Sequence, residues 1–213
     1  MKKSILLIFS IVFLFPANMR AELTKETKES IIAECLDVIN KFTYHISFIG
    51  SKNNSEEVKK VHIETVLEYF IGNGDGIVLT DNNGNPIMEN DTYIYKINPP
   101  RIEITSLYKP TRNVYIKTYL NSLMKLSYDK IKIESSDAYI PENGFKRVGE
   151  HQYQATCSYA QIFTGEGKDK GVYRDITKKT AIMHIFVREY APDRVVYEVL
   201  IGDIKASETK PAK

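Results

Sequence analysis

The sequence predicts an α+β fold in which N-terminal helices pack on a curved, mostly antiparallel β-sheet. In the first part of the chain, apolar residues recur every three to four positions, as they do along one face of a helix. From Lys130 onward, apolar residues alternate with polar ones or form short continuous runs, which is typical of strands. Helices followed by a series of strands indicate a domain whose helices cover one face of an antiparallel sheet.

The N-terminus has the pattern of a secretory signal peptide, which we predict over residues 1–21. Two lysines precede an apolar run from Ile5 to Phe15, and Ala21 is a small residue suited to cleavage. The run is much shorter than the roughly twenty residues that a membrane-spanning helix needs. We therefore expect an exported bacterial protein, periplasmic or secreted, with no membrane association after cleavage.

The rest of the chain is predicted to form one domain over residues 22–205, followed by a short disordered tail at residues 206–213. The whole sequence has 29 basic and 27 acidic residues, which gives a net charge of +2. Three of the basic residues lie within residues 1–21, so cleavage leaves 26 against 27 and a net charge of −1. No sustained basic face is left for nucleic acid or an anionic membrane.

Two helices are predicted first, and we expect them to form an antiparallel pair. One runs from Glu22 to Gly50. The second begins at Asn54, which forms a capping-box pattern with Glu57, and it ends at the glycine-rich residues 72–76. The apolar face of the second helix is predicted to consist of Val58, Val61, Thr65, Val66, Tyr69 and Phe70.

The residues around Asn83-Gly84 predict a small hairpin between Ile77–Leu79 and Pro86–Met88, because Asn-Gly is a strong signal for a tight turn. A calcium-binding loop is the alternative, since Asp81 opens a run of side chains with oxygen atoms. Pro86 stands where such a loop needs glycine, so we prefer the hairpin.

Downstream, the sequence predicts a strand at Arg101–Leu107, a third helix beginning near Thr111, and strands at Lys130–Glu134 and Tyr153–Phe163. The last of these alternates cleanly between apolar and polar residues. One of its faces is therefore expected to meet the helices and the other to meet water.

The final hairpin joins Thr180–Tyr190 to Arg194–Ile204 through Ala191-Pro192-Asp193, and it is apolar on both faces. In its second strand, Val195, Val199 and Ile201 are expected on one face, and Val196, Leu200 and Ile204 on the other. One layer of helices covers only one face of a sheet. The second apolar face therefore predicts a homodimer that forms through the sheet.

The two cysteines, Cys35 and Cys157, allow a single disulfide in an exported protein. Both lie at apolar positions of predicted elements, so two buried, unreactive thiols are the alternative.

The order of two helices, a hairpin, a third helix and a long antiparallel sheet over Glu22–Ile204 resembles the nuclear transport factor 2-like superfamily, which includes ketosteroid isomerases and many binding modules. The resemblance implies a cone-shaped cavity between the helices and the sheet. In the enzymes of that superfamily, an Asp or His acts there as a base, and a Tyr or a protonated acid stabilises the enolate.

A narrower resemblance rests on the residues from Tyr119 to Glu134, on Tyr173–Lys179 and on Leu200–Ile204. These segments look like those of uncharacterised exported proteins from anaerobic Gram-negative bacteria. The resemblance implies an exported location and no particular activity.

Candidate site residues follow from side-chain chemistry, and no motif identifies a reaction. If the protein is an enzyme, the candidate catalytic residues are His62, His184 and Asp203. The candidate ligand or interface residues are Tyr69, Tyr119, Tyr153, Tyr159, Tyr173, Arg174, Asp175 and His184. The alternatives are histidines that are satisfied in the core or an interface, and an Arg174–Asp175 ion pair at a strand end. No metal-ligand spacing and no cofactor fingerprint is present, so we predict neither a metal nor a cofactor.

These observations predict a noncatalytic exported binding or interaction module that dimerises through its sheet and holds a small ligand or binds a protein partner. The alternative is a small isomerase or dehydratase-type enzyme with a histidine base and tyrosine hydrogen-bond donors in the cone.

Overall fold

The computed structural model describes residues 23–168, 171–191 and 194–212. The predicted signal peptide and the turn at Pro192-Asp193 lie outside these ranges. Within them, no helix is long and apolar enough to cross a membrane.

The predicted helical pair consists of α1 (Lys25–Gly50) and α2 (Glu56–Glu68). The helices begin at Thr24 and Ser55, whose hydroxyl groups accept hydrogen bonds from backbone N–H groups of the first turn. The predicted cap at Asn54 is wrong. Its side-chain amide instead donates to the backbone oxygen of Phe48 at 2.9 Å and so ties the loop between the helices to α1.

The predicted apolar face of α2 is wrong at its N-terminal end. Val58 and Val61 are exposed to solvent, whereas Lys59, which lies between them in the sequence, is buried. Val66 and Phe70 are buried as predicted. A lysine has a long aliphatic stem that can cover apolar surface, so burial follows the side of the helix that contacts the protein rather than residue type alone.

A group of short elements follows α2. These are a 3₁₀ turn (Ile71–Gly74), β1 (Ile77–Val78), β2 (Met88–Glu89), β3 (Thr92–Tyr93) and β4 (Tyr95–Ile97). The predicted hairpin is present as an antiparallel bridge between Thr80 and Pro86. The Asp81 carboxylate accepts hydrogen bonds from the backbone N–H groups of Asn83 and Asn85, so it stabilises the turn.

The next three elements are β5 (Arg101–Ser106), β6 (Lys109–Tyr115) and α3 (Ile116–Leu123). The predicted start of the third helix near Thr111 is wrong, because residues 109–115 pair with β5 as an antiparallel strand. The helix begins only at Ile116, where the pairing ends.

The main sheet has seven strands and confirms the α+β fold with a mostly antiparallel sheet. Its remaining members are β7 (Lys130–Tyr139), β8 (Phe145–Gly149), β9 (Gln152–Gly167), β10 (Gly171–Ala191) and β11 (Arg194–Pro211). The strand order is β6-β5-β11-β10-β9-β7, and β8 also pairs with β9. Among the strand pairs of this sheet in the described residues, only β11–β5 is parallel, and the long strands β9, β10 and β11 form the centre.

The two sides of this sheet differ in what covers them. On β10, the odd-numbered residues from Ala181 to Ile185 belong to the core with α1 and α3, and we call this the helix-facing side. Even-numbered residues of β10, such as Ile182 and His184, lie on the opposite, outer side because side chains alternate along a strand.

The final hairpin is confirmed, but its two apolar faces are not as predicted. Ile204 is buried in the core together with Ile201 and not on the face of Leu200. The reason is a bulge, because Met183 pairs with Ile201 while Ala181 pairs with Ile204. Val196 is exposed on the outer side. Association of two copies through that side stays a prediction.

The predicted disordered tail is wrong for residues 206–211, which continue β11. Thr209 pairs with Thr177 of β10, and the hydroxyl groups of these two residues lie 2.9 Å apart. The N–H of Ala206 donates to the Glu103 carboxylate at 2.8 Å. These polar residues can form a strand here because the residues that they contact, Thr177 and Glu103, are polar as well.

Cys35 and Cys157 are both free and buried, so the alternative of two core thiols describes this structure. Burial raises the pKa of Cys35 to about 12 and that of Cys157 to about 11. Neither thiol is activated as a nucleophile.

Candidate functional site

A group of polar side chains interrupts the apolar helix-facing side of β9 and β10. We call it the polar cluster, and it consists of Tyr159, Gln161, Tyr173, Asp175, Thr177 and Lys179. Strand alternation places these side chains on one side, and antiparallel pairing sets Tyr159 opposite Lys179 and Gln161 opposite Thr177.

Asp175 is the acid of the polar cluster and is 5% exposed. The Tyr173 hydroxyl donates to its Oδ2 at 2.5 Å. Burial raises the pKa of Asp175, while the bond from Tyr173 and the charge of Lys179 oppose that rise. Burial, together with the bond to Asp175, also raises the pKa of Tyr173. In this bond the Tyr173 hydroxyl is the donor and the Asp175 carboxylate is the acceptor.

Lys179 is the base of the polar cluster and is 6% exposed. Its Nζ donates to the backbone oxygen of Glu103 on β5 at 2.8 Å. Burial lowers the pKa of Lys179 to about 8, against the opposing charges of Asp175 and Glu103. The lysine thus links β10 to β5 beneath the intervening strand β11.

Two members of the polar cluster lack partners. The Tyr159 hydroxyl and the Oε1 of Gln161 are buried, and neither has a hydrogen-bond partner in the described part of the chain. Their residues are 3% and 8% exposed. A buried polar group without a partner costs about 1–3 kcal/mol, so two of them side by side need an explanation beyond stability.

Aromatic side chains border the polar cluster on one side. Phe163 contacts Tyr128 and Tyr173 edge to face, with ring centroids 5.7 and 5.9 Å apart. Tyr128 lies against Gly165, where an added Cβ would stand 2.8 Å from the ring. The exposed Tyr108 extends this border beyond Tyr173.

The structure brings together four of the predicted ligand residues. Tyr159, Tyr173 and Asp175 belong to the polar cluster, and Tyr119 of α3 is buried close enough to Tyr159 to affect its pKa. Tyr153 is buried on the same side of β9 but farther along the strand, in the apolar core.

Arg174 lies on the outer side, because it neighbours Asp175 along the strand and side chains alternate. The two side chains point to opposite sides of the sheet, so the predicted alternative of an Arg174–Asp175 pair at a strand end is wrong.

The predicted catalytic residue His62 lies outside the sheet, between α1 and α2. Its Nδ1 is 2.6 Å from the Nδ1 of His45, and the His62 ring stacks on Phe48. The Tyr69 hydroxyl lies 3.3 Å from the Nε2 of His45. Burial and the neighbouring His62 lower the pKa of His45. These contacts form a hydrogen-bonded row between the helices, separate from the polar cluster.

His184 and Asp203, the other two predicted catalytic residues, line one cleft on the outer side. His151 is exposed in the turn between β8 and β9. None of the four histidines therefore lies on the helix-facing side of the sheet, among the polar cluster, and a histidine base stays a prediction.

Sequence reasoning missed Lys179, Gln161 and Thr177. The sequence does contain a signal for two of them. Asp175, Thr177 and Lys179 occupy every second position of a strand, and the same face continues with the apolar residues Ala181 and Met183. Three polar residues on the core side of one strand predict a buried polar site. Among the described residues, no group of three or more His, Cys, Asp or Glu is placed to hold a metal ion.

No family model and no curated protein matches this sequence. Among solved structures, the chain is similar to a protein of Novosphingobium aromaticivorans DSM 12444 that is described as a "Putative Scytalone Dehydratase". The two are 8% identical with a TM-score of 0.46, over 89% of this chain and 93% of the other. A similarity at this level assigns neither a family nor a function to the chain.

Proposed function

We propose that this protein is a noncatalytic exported binding module that holds a small polar ligand at the polar cluster. The observation that carries the proposal is the pair of buried, unpartnered groups on β9, the Tyr159 hydroxyl and the Gln161 carbonyl oxygen. A ligand that bonds to both groups removes a cost that the folded protein otherwise bears.

The chemistry of the two groups defines the ligand. The Tyr159 hydroxyl can donate to a carbonyl or hydroxyl oxygen, and Gln161 Oε1 accepts from a hydroxyl or amide N–H. The ligand is uncharged, because Asp175 and Lys179 already balance each other in a buried setting and a further charge would be costly to bury. A ring suits the aromatic border of Tyr128, Phe163 and Tyr173.

The ionisable groups of the polar cluster favour binding over catalysis. Asp175 accepts from Tyr173, and Lys179 donates to the backbone of Glu103, so both groups are engaged by the protein itself. The enzyme alternative also lacks its histidine base on this side of the sheet. Export and dimerisation through the outer side complete the proposal. The exposed Val196 and the half-buried Phe186, which lie on that side near the turn end of β10 and β11, support dimerisation.

The test uses 4-hydroxybenzamide, a ring that carries one hydroxyl and one amide group, titrated into the isotope-labelled protein by NMR. We expect saturable shifts of β9 amides with a Kd of about 1 mM or below, and Tyr159→Phe weakens binding by about tenfold, which corresponds to one hydrogen bond of about 1.4 kcal/mol. Tyr108→Phe is the matched control, because Tyr108 is 82% exposed and its ring lies at the outer end of the border. Equal affinity in the Tyr159→Phe variant, or no binding to the wild-type protein, would contradict the proposal.

A further inference from the structure

A cleft of about 380 Å³ opens on the outer side of the sheet, on the face opposite to the polar cluster. One wall is the segment that contains β4, and the floor is formed by β9, β10 and β11. It is lined by Lys96, Ile97, Asn98, Gln154, Ile182, His184, Gly202 and Asp203. We call it the outer cleft.

His184 is built into the floor of the outer cleft. It is 5% exposed, and its Nδ1 is buried without a hydrogen-bond partner among the described residues. Gly202 makes room for the imidazole, since an added Cβ would stand 2.7 Å from its Nε2. Burial lowers the pKa of His184, and the charge of Asp203 opposes this. The floor of the cleft thus contains an imidazole whose Nδ1 has no hydrogen-bond partner within the described chain.

Two opposite charges line the outer cleft without pairing. Asp203 accepts a hydrogen bond from the backbone N–H of Arg101 at 2.8 Å, which fixes its carboxylate. The Arg101 guanidinium does not neutralise that charge, because it bonds to Asn113 and lies over the Tyr115 ring. Within the described chain, Lys96 forms no ion pair with Asp203 or any other acid, although both line the cleft.

We infer that the outer cleft binds a small zwitterion with an aliphatic side chain, namely an α-amino acid such as leucine. The carboxylate of the amino acid bonds to Lys96, and its ammonium group bonds to Asp203. The ammonium group also donates to His184 Nδ1, which otherwise stays unpartnered. Ile97 and Ile182 supply an apolar wall for the side chain.

The inference goes beyond the proposed function, because the two sites lie on opposite sides of the sheet and share no residue. A negative result for binding at the outer cleft therefore does not contradict ligand binding at the polar cluster, and the reverse also holds.

The experiment compares L-leucine with two analogues that each lack one charge. These are 4-methylpentanoate, which has no ammonium group, and 3-methylbutylamine, which has no carboxylate. We expect L-leucine to shift the amide signals of Gly202 and Asp203 and the ring signals of His184 with a Kd of about 1 mM or below. Each analogue is expected to bind at least about tenfold more weakly, because one of the two charges in the cleft is then left without a partner.

Two variants and one control locate the binding. Lys96→Met and Asp203→Asn are each expected to weaken leucine binding by at least about tenfold. The asparagine keeps an oxygen for the N–H of Arg101, and thermal unfolding checks that the fold is intact. Lys205→Met is the control, because Lys205 is an exposed lysine two residues after Asp203. No shift with leucine, equal binding of either analogue, or full binding by Lys96→Met overturns the inference.

Discussion

Replacement of Lys179 with methionine is expected to lower the free energy of unfolding at pH 7 by about 2–4 kcal/mol. Methionine has a similar length but no charge and no N–H donor, so the Glu103 carbonyl loses its partner and Asp175 loses the neighbouring cation. Loss of one member of a buried set of charges is among the costliest single substitutions. Urea unfolding of the two proteins measures the difference.

Lys178→Met is the matched control for this substitution. Lys178 is the preceding residue, lies on the outer side and forms an exposed ion pair with Glu208. Such pairs contribute about 0–1 kcal/mol, so this variant is expected to unfold close to the wild-type protein. If the two substitutions lower the free energy of unfolding equally, the buried hydrogen bond of Lys179 contributes no more to stability than the exposed ion pair of Lys178.

The stability of the protein is also expected to depend on pH through Lys179. Its pKa is about 8 in the folded chain, against an ordinary value of 10.5. Between these values the unfolded chain binds more protons than the folded chain, so the stability rises with pH. The unfolding free energy is expected to increase by about 1–2 kcal/mol from pH 8 to pH 9.5 in the wild-type protein and not in Lys179→Met. A parallel dependence in both proteins would contradict the lowered pKa.

Gly76→Ala is expected to cost about 3 kcal/mol or more, because two separate penalties combine there. The residue has φ +72°, and an added Cβ would stand 2.4 Å from the backbone oxygen of Ile97 and 2.6 Å from the nitrogen of Pro99. Both contacts are with backbone atoms, which cannot rotate away as a side chain does. The substitution displaces the Lys96–Asn98 wall of the outer cleft, so leucine binding is expected to fall with stability.

Gly84→Ala separates the two penalties. Gly84 has φ +83°, and an added Cβ would meet nothing within 4 Å. It therefore carries the conformational penalty alone, about 1 kcal/mol. If Gly76→Ala lowers the free energy of unfolding no more than Gly84→Ala does, the backbone at Ile97–Pro99 does not lie as close to Gly76 as the structure shows.

Periodicity and turn residues were sufficient to predict the α+β class, the long first helix and the final hairpin. Those signals are local, since spacing in the sequence fixes which side chains share a helix or strand face. The start of α3 was mispredicted because Thr111–Tyr115 has an ambiguous pattern and becomes a strand only by pairing with β5. Strand pairing depends on distant residues, and a single sequence does not reveal it.

The sequence predicted some residues of the candidate site but not the side of the sheet on which others lie. Tyr159, Tyr173 and Asp175 were selected by side-chain chemistry, and the structure places them together. His184 and Asp203 were selected as parts of a cone, but strand alternation and the bulge at Gly202 direct them to the outer side. The bulge changes the side on which later residues lie, and its position is set by cross-strand pairing rather than by the residues of β11 alone.

The most direct test of the binding proposal is the unfolding free energy of Tyr159→Phe in the absence of ligand. The substitution removes a buried hydroxyl that has no partner among the described residues and keeps the ring, so stability is expected to rise by about 1 kcal/mol. Tyr173→Phe, whose hydroxyl donates to Asp175, is the comparison and is expected to lower stability by about 1–2 kcal/mol. If Tyr159→Phe lowers stability as Tyr173→Phe does, the Tyr159 hydroxyl serves the fold, and the polar cluster is not a ligand site.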